Sequence, residues 1–257
     1  MMIRYIPADP AGNLTAIVLS PVAAQDRAKI AAEMMARCPE GFEQVGFADE
    51  TSLTGDLPTL CMMGGEFCGN ATRAFACYAA KVRGRGETRL AISVSGAREP
   101  VPVAVDLRQN RAYAQMPLPY ALEWISVNKQ KIPLVRMEGI DHALLLDAAP
   151  SPEAAERVLA AMPKQDARGV LFVQGGKMTP LVEVAATGTR VWESSCGSGT
   201  VALAWYLAQN LADGMHAFAF DEPGGRLEAR VAMRAGRAAQ IEMGGAVKLG
   251  KEAEIEL

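Results

Sequence analysis

"EFCGNATRAFACYAA", residues 66–80, and "SSCGSGTVALAWYLA", residues 194–208, follow one plan: a lone cysteine, a glycine, then an alanine-rich helical pattern. With Cys68 set against Cys196, the pairs Gly69/Gly197, Thr72/Thr200, Ala74/Ala202, Ala76/Ala204, Tyr78/Tyr206 and Ala80/Ala208 fall into register. Seven identities in thirteen positions are too many for two unrelated helices, and they mark an internal duplication. Working outward, an accessory helical pattern precedes each cysteine helix, at 23–38 and at 151–162. Each cysteine helix, at 69–83 and 197–212, then leads into strands through a glycine turn, "SVSGA" in one half and "DEPGG" in the other.

Short β-branched and apolar runs predict strands at 2–6, 14–20, 90–96, 100–107 and 112–118, and again at 142–147, 169–174, 180–186, 216–221 and 227–233. Gly84 and Gly86 are expected to close the first cysteine helix and Gly214 the second. Both helices are apolar around their whole circumference, which predicts burial. The fold class is therefore α+β, with two pseudo-symmetric halves, each a β-barrel-like sheet wrapped around a central helix. The prolines of "MPLPY" (116–120) place the boundary there, giving halves 1–118 and 119–249. A C-terminal strand at about 250–257 is expected to join the first half.

Composition narrows the function. The 257 residues are half apolar and carry a net charge of −3, which argues against nucleic acid and anionic membranes as partners. Apolar runs fall short of a membrane span, and "MMIRYIPADP" has no secretory h-region. The expected location is the cytoplasm. Five cysteines without a CxxC fit a reducing compartment. The only histidines, His142 and His216, lack metal-ligand spacing, and there is no GxGxxG or P-loop, so neither metal nor cofactor is expected. The partner set is a small substrate and, at most, a second copy of the chain.

A cysteine at a helix start faces backbone N–H groups that lack intrahelical partners. That setting favours anions and predicts a lowered thiol pKa, in the perturbed range of about 3.5–7.5. Gly69 and Gly197 let a ligand approach the backbone. Cys38, Cys61 and Cys77 have no such placement and are expected to serve only packing. Two equivalent thiols suit removal of a proton from one face of a carbon and its return to the other, one sulfur as thiolate and one as thiol. With each roughly 3–3.5 Å from that carbon, they would stand about 7 Å apart.

These motifs resemble the cofactor-independent amino-acid racemases and epimerases related to diaminopimelate epimerase, over nearly the whole chain. "FCGNATR" (67–73) and "SSCGSGT" (194–200) look like that family's two catalytic-cysteine motifs. "PAGNLT" (10–15) and "GFEQVGF" (41–47) look like its substrate-contacting segments. The resemblance implies an active site in the cleft between the halves. It implies Cys68 and Cys196 as catalytic, and Asn13, Glu43, Gln44, Gly69, Asn70, Glu193, Gly197 and Ser198 as substrate-binding.

The departures point away from diaminopimelate itself. The family's "WERG" arginine, a reader of the second carboxylate, is missing from "VWESS" (191–195). Its Asn-Pro-His stretch becomes "GIDHALL" (139–145), with Ile140 in place of the asparagine. Wording such as "GGEFCGNAT" and "EQVGF" is closest to a branch containing histidine racemases, which supply D-histidine for opine-type metallophores. Glu43 and Glu193 are then the acids to read an amine or imidazole, and Asp141 and His142 either line the site or merely fill a strand. Phenazine-type isomerases share this fold but generally lack the cysteine pair. Another amino-acid substrate of diaminopimelate or proline type, or a non-catalytic amino-acid-binding or thiol-redox protein, stays open.

Overall fold

The computed structural model describes residues 1–185 and 188–257. They form two compact units, Met1–Gln115 with Gly244–Leu257, and Met116–Met243. The division falls at 115/116 and 243/244 rather than at 118/119 and 249/250. The chain commits to the second unit ahead of the proline pair because the Met116 N–H already donates to the Ile241 carbonyl at 2.9 Å.

In the first unit, β1 (Met2–Asp9) pairs antiparallel with β2 (Thr15–Val18). Helix α1 (Arg27–Arg37) crosses to β3 (Gln44–Asp49), which lies parallel to β2. β4 (Thr59–Met62) returns antiparallel, and α2 (Gly69–Val82) crosses to β5 (Glu87–Val94), parallel to β4. β6 (Val101–Asp106) and β7 (Arg111–Gln115) follow as antiparallel neighbours.

The second unit repeats this order after an added strand, β8 (Ala121–Val127). β9 (Gln130–Arg136) pairs antiparallel with β10 (Ile140–Leu146), and α3 (Pro152–Ala161) crosses to the parallel β11 (Ala167–Gln174). β12 (Lys177–Val184) returns, flanked by a further strand β13 (Thr189–Trp192). Helix α4 (Gly197–Ala208) crosses to β14 (Gly214–Glu222), and β15 (Gly225–Arg234) and β16 (Arg237–Ala246) complete the series. The short C-terminal strands β17 (Lys248–Leu249) and β18 (Ala253–Glu256) pair with β1 of the first unit.

Each unit is built around its cysteine helix. Every residue of α2 from Gly69 to Ala80 is buried, packed against Leu60, Ile92, Val103, Val105, Ala112 and Ala114. Alanine at 74, 76, 79 and 80 lets strands approach the helix axis closely, while Phe75 supplies the bulk. In α4 the residues Gly199 to Ala204 and Ala208 are buried, but Leu207 is 41% exposed. The expected all-round burial therefore stops in the last turn of α4. Trp205 and Leu207 occupy the places of Cys77 and Ala79 and are too large for the same close cover.

Several sequence expectations shift at their ends. The 23–38 pattern opens with a single 3₁₀ turn, Ala24–Asp26, before α1 begins. Gly84 closes α2 in the left-handed region at φ 65°, with the Arg85 N–H reaching back to the Ala80 carbonyl. Gly214 does not close α4. That helix ends at Ala208, capped by Gln209, and Gly214 opens β14. The strand expected at 180–186 begins earlier, at Lys177, and its last expected residue, Ala186, lies outside the described residues. β3, β4, β8, β9, β13 and β16 carry weaker signals: β4 is four residues long, and β9 contains Pro133. Gly46 in β3 faces Leu60, whose Cδ1 would have to shift from a Cβ placed 2.9 Å away. Among the described residues no helix is long and apolar enough to cross a membrane.

The two glycine turns close on the segments that lead into the cysteines. Gly224 N–H donates to the Ser194 carbonyl at 2.7 Å. Gly96, at φ 73°, lies so near the 66–67 backbone that a Cβ would sit 2.3 Å from Phe67 N and 2.6 Å from the Glu66 carbonyl carbon. Gly96→Ala should therefore destabilise the protein by about 2 kcal/mol or more, from strain plus backbone clash. Gly84→Ala, with open space around it, should cost about 1 kcal/mol from φ alone. Urea unfolding of the two variants beside the parent protein would check this order.

Candidate active site

Cys68 and Cys196 are the N-cap residues of α2 and α4, with nearly the same backbone, φ −129° and ψ 112° against φ −123° and ψ 105°. In each, the sulfur accepts the N–H three residues on: Ala71 at 3.5 Å and Gly199 at 3.3 Å. The duplication read from sequence is thus a duplicated cap. An N-cap is normally served by an oxygen side chain, and sulfur is a weaker acceptor.

Around Cys68 the predicted residues form one network. The thiol donates to Gln44 Oε1 at 3.0 Å. Gln44 Nε2 donates to Asn13 Oδ1 at 2.5 Å and to Thr15 Oγ at 2.7 Å. Asn13 Nδ2 in turn donates to Glu43 Oε2 at 2.9 Å, and Asn70 Nδ2 lies 3.4 Å from Asn13 Oδ1. Asn13 reaches this position from a tight turn in which Ala11 and Gly12 both have positive φ, 66° and 93°. The Gly12 N–H is held by Asp9 Oδ1 at 2.6 Å. Glu43, just before β3, is exposed and forms the outer end of the network, while Gln44, the first residue of β3, is buried within it.

Sequence reasoning assigned no role to Arg73, although it ends the quoted "FCGNATR". Its guanidinium is fully buried and donates to Asn70 Oδ1 at 2.8 Å and to the carbonyls of Pro10, Ala112 and Gly245 at 3.3–3.4 Å. It ties the first turn of α2 to the loop that carries Asn13. A cation inside a helical repeat was the available signal.

The second unit surrounds Cys196 differently. Ser198 Oγ lies 3.4 Å from the sulfur and 2.9 Å from His142 Nε2. His142 is fully buried on β10, and room for its ring comes from its register partner Gly169, where a Cβ would stand 2.1 Å from Nδ1. The neighbouring Asp141 is committed elsewhere, to Arg136 Nε at 2.9 Å and the Met137 N–H at 3.3 Å. The cap is also bound by Glu222, which the sequence did not single out. Its Oε2 accepts the Cys196 N–H at 2.7 Å and its Oε1 the Thr200 hydroxyl at 2.6 Å. Glu193 lies in the approach to Cys196 and contributes negative potential there.

The expected lowering of the thiol pKa values does not occur. Burial pushes Cys68 up, with the Ala71 N–H working against it. Burial pushes Cys196 well up, reinforced by the charges of Glu193 and Glu222. Removing a thiolate from water outweighs what one or two helix amides return. Cys77, inside α2, is pushed up by burial to about 12, and Cys38 is also buried and pushed up. Among the described residues no three His, Cys, Asp or Glu side chains are grouped to hold a metal ion.

The model of the "Histidine racemase CntK N-terminal domain" matches residues 2–255 of this chain. The chain belongs to that family. A histidine racemase of Fusobacterium nucleatum subsp. nucleatum is 31% identical over 221 residues, covering 80% of this chain and 81% of the relative. One from Staphylococcus aureus is 26% identical over 239 residues, covering 88% and 87%. Among solved structures, a phenazine biosynthesis PhzF-family protein of Enterococcus faecalis superposes with a TM-score of 0.68 at 17% identity, over all of both chains. A hydroxyproline epimerase from Agrobacterium vitis superposes with a TM-score of 0.65 at 13% identity, over 99% of this chain and 92% of that one. The fold is that of the PhzF and diaminopimelate-epimerase proteins, and the chain is an amino-acid racemase of the class that works without pyridoxal phosphate.

One expected outcome concerns His142. Burial pushes its pKa down to about 3, against about 6.5 in an unfolded chain. As pH falls below 6.5 the unfolded state takes up the proton first, so the stability present above that pH is lost progressively down to about 3. The slope is at most about 1.4 kcal/mol per pH unit. Urea midpoints measured from pH 7 to pH 4 should fall steeply in the parent protein and less steeply in His142→Gln. Parallel slopes would show that His142 is not the group responsible.

Proposed function

We propose that this chain interconverts L- and D-histidine by two-base proton transfer, with Cys68 and Cys196 as the acid and base. The observation that carries the proposal is the matched pair of sulfur-capped helix starts, in a chain of the histidine racemase family. In one direction a thiolate takes the α-proton, the Cα–H bonding pair stays on carbon, and the other thiol delivers its proton to the opposite face. The spent pair then holds the proton on the first sulfur, and the reverse reaction regenerates it. Burial raises the cost of forming the thiolate and also strengthens it as a base once formed.

The first amides of α2 and α4, at Gly69 and Gly197 with Asn70 and Ser198 beside them, are the donors for the substrate carboxylate. Asn13 and Gln44 position the Cys68 side. Glu43, exposed and steadied by Asn13, is the acid for the imidazole, and Glu193 is the second acid near the substrate. The missing arginine in "VWESS" removes the family's reader of a second carboxylate. An unpaired buried charge costs several kcal/mol by order of magnitude, which disfavours diaminopimelate. Supply of D-histidine to metallophore assembly fits the same reading.

Proton NMR of L-histidine with the protein in deuterium oxide should show loss of the α-proton signal. Cys68→Ala and Cys196→Ala should each abolish that exchange while circular dichroism stays native. A Cys196→Ala variant retaining most of the rate would refute the two-base scheme. Histidine should exceed diaminopimelate in kcat/KM by at least ~100-fold, about 2.7 kcal/mol. Glu43→Gln should reduce histidine turnover without blocking reaction of either cysteine with a thiol reagent.

A further inference from the structure

The two caps match in backbone and differ in what stands behind them. Behind Cys68 the groups at the sulfur are neutral: the Gln44 amide carbonyl and the Ala71 N–H. Behind Cys196 a buried carboxylate, Glu222, accepts the cap residue's own N–H at 2.7 Å and the hydroxyl of Thr200 at 2.6 Å. Thr72, the equivalent of Thr200 in the first unit, bonds instead to the Cys68 carbonyl at 2.7 Å. The duplicated device therefore has a carboxylate bonded to the cap residue's own N–H in the second copy, where the first has none among these contacts.

A helix N-terminus carries a partial positive charge that would stabilise a thiolate. In α4 that charge already has an anion, because Glu222 sits at the end of β14 and binds the first turn at the Cys196 N–H and the Thr200 hydroxyl. We propose that Glu222 is a positioning residue for Cys196, clamping its cap and placing a fixed negative charge beside it, so that Cys196 is the proton-carrying thiol of the resting pair.

The remaining surroundings of Cys196 support the same polarity. Glu193, on the segment before the cap, adds a second negative charge. Ser198 on α4 lies beside the sulfur and His142 on β10 bonds to Ser198, both as neutral groups, since burial keeps the imidazole uncharged. The buried positions of β15 are apolar, at Leu227, Ala229 and Val231. Burial together with both acids raises the pKa of the thiol. At Cys68 burial acts in the same direction, but the carboxylate that adds to it, Glu66, is exposed, and Cys68 is the thiol that gives up its proton first.

The proposal rests on Cys196 being one of the two exchanging groups, but its test does not require turnover. The pH dependence of iodoacetamide labelling can be followed at each cysteine in the full chain by peptide mass spectrometry. The labelling midpoint of Cys196 should lie above that of Cys68. Glu222→Gln should lower the Cys196 midpoint by about one to two pH units and leave that of Cys68 in place. Glu222→Asp, which keeps the charge, should hold the Cys196 midpoint near the parent value. A Cys196 midpoint at or below that of Cys68 in the unaltered chain would overturn the proposal, whether or not the variants fold. So would an unchanged midpoint in Glu222→Gln, or an equal fall in Glu222→Asp, which would assign the effect to geometry and not to charge. These outcomes are independent of the α-proton exchange assay, so a failed histidine assignment and a failed role for Glu222 would be told apart.

Discussion

In each unit a sulfur accepts the N–H of the third residue of a buried helix, and the rest of the architecture serves that bond. Strands enclose the helix, over its alanines in α2 and over Gly199 to Ala204 in α4. The glycine turn that follows must press on the segment entering the cap, which Gly96 does in one half and Gly224 in the other. The sulfur is thereby held at a helix start, bonded to Gln44 in one unit and beside Ser198 in the other.

Holding it there has an electrostatic consequence. Burial pushes both thiols upward, so the helix start moderates the pKa and does not lower it below the ordinary value. The two units share this cost unequally. Neutral amides surround Cys68, a chain running from Gln44 through Asn13 to Glu43 and braced by the buried Arg73 through Asn70. Carboxylates stand beside Cys196, together with a serine and a histidine kept neutral by burial. A gene-level duplication supplies symmetric sulfurs, and later divergence of the supporting residues gives them different proton affinities.

The repeat and the helix starts were legible because each is local or periodic. A cysteine followed by glycine at the head of an alanine-rich pattern identifies a cap from spacing alone. Asn13, Glu43 and Gln44 were named through resemblance, and the structure gathers them with Cys68 and Asn70 in one set of hydrogen bonds. Glu222 and Gly169 were not legible. An acid before a Pro-Gly turn and a glycine in a strand have many ordinary explanations, and only the folded register shows which atoms they meet.

The sequence by itself determined the duplicated α+β architecture, the cysteine caps and the family, because helix periodicity, capping and motif spacing are properties of neighbouring residues. Tertiary structure alone decided the sign of the thiol pKa shifts, the place where the chain passes between units, and the pairing of Glu222 with Cys196. Each of those depends on desolvation or on contact between strands and helices far apart in the chain, and neither is written in local order.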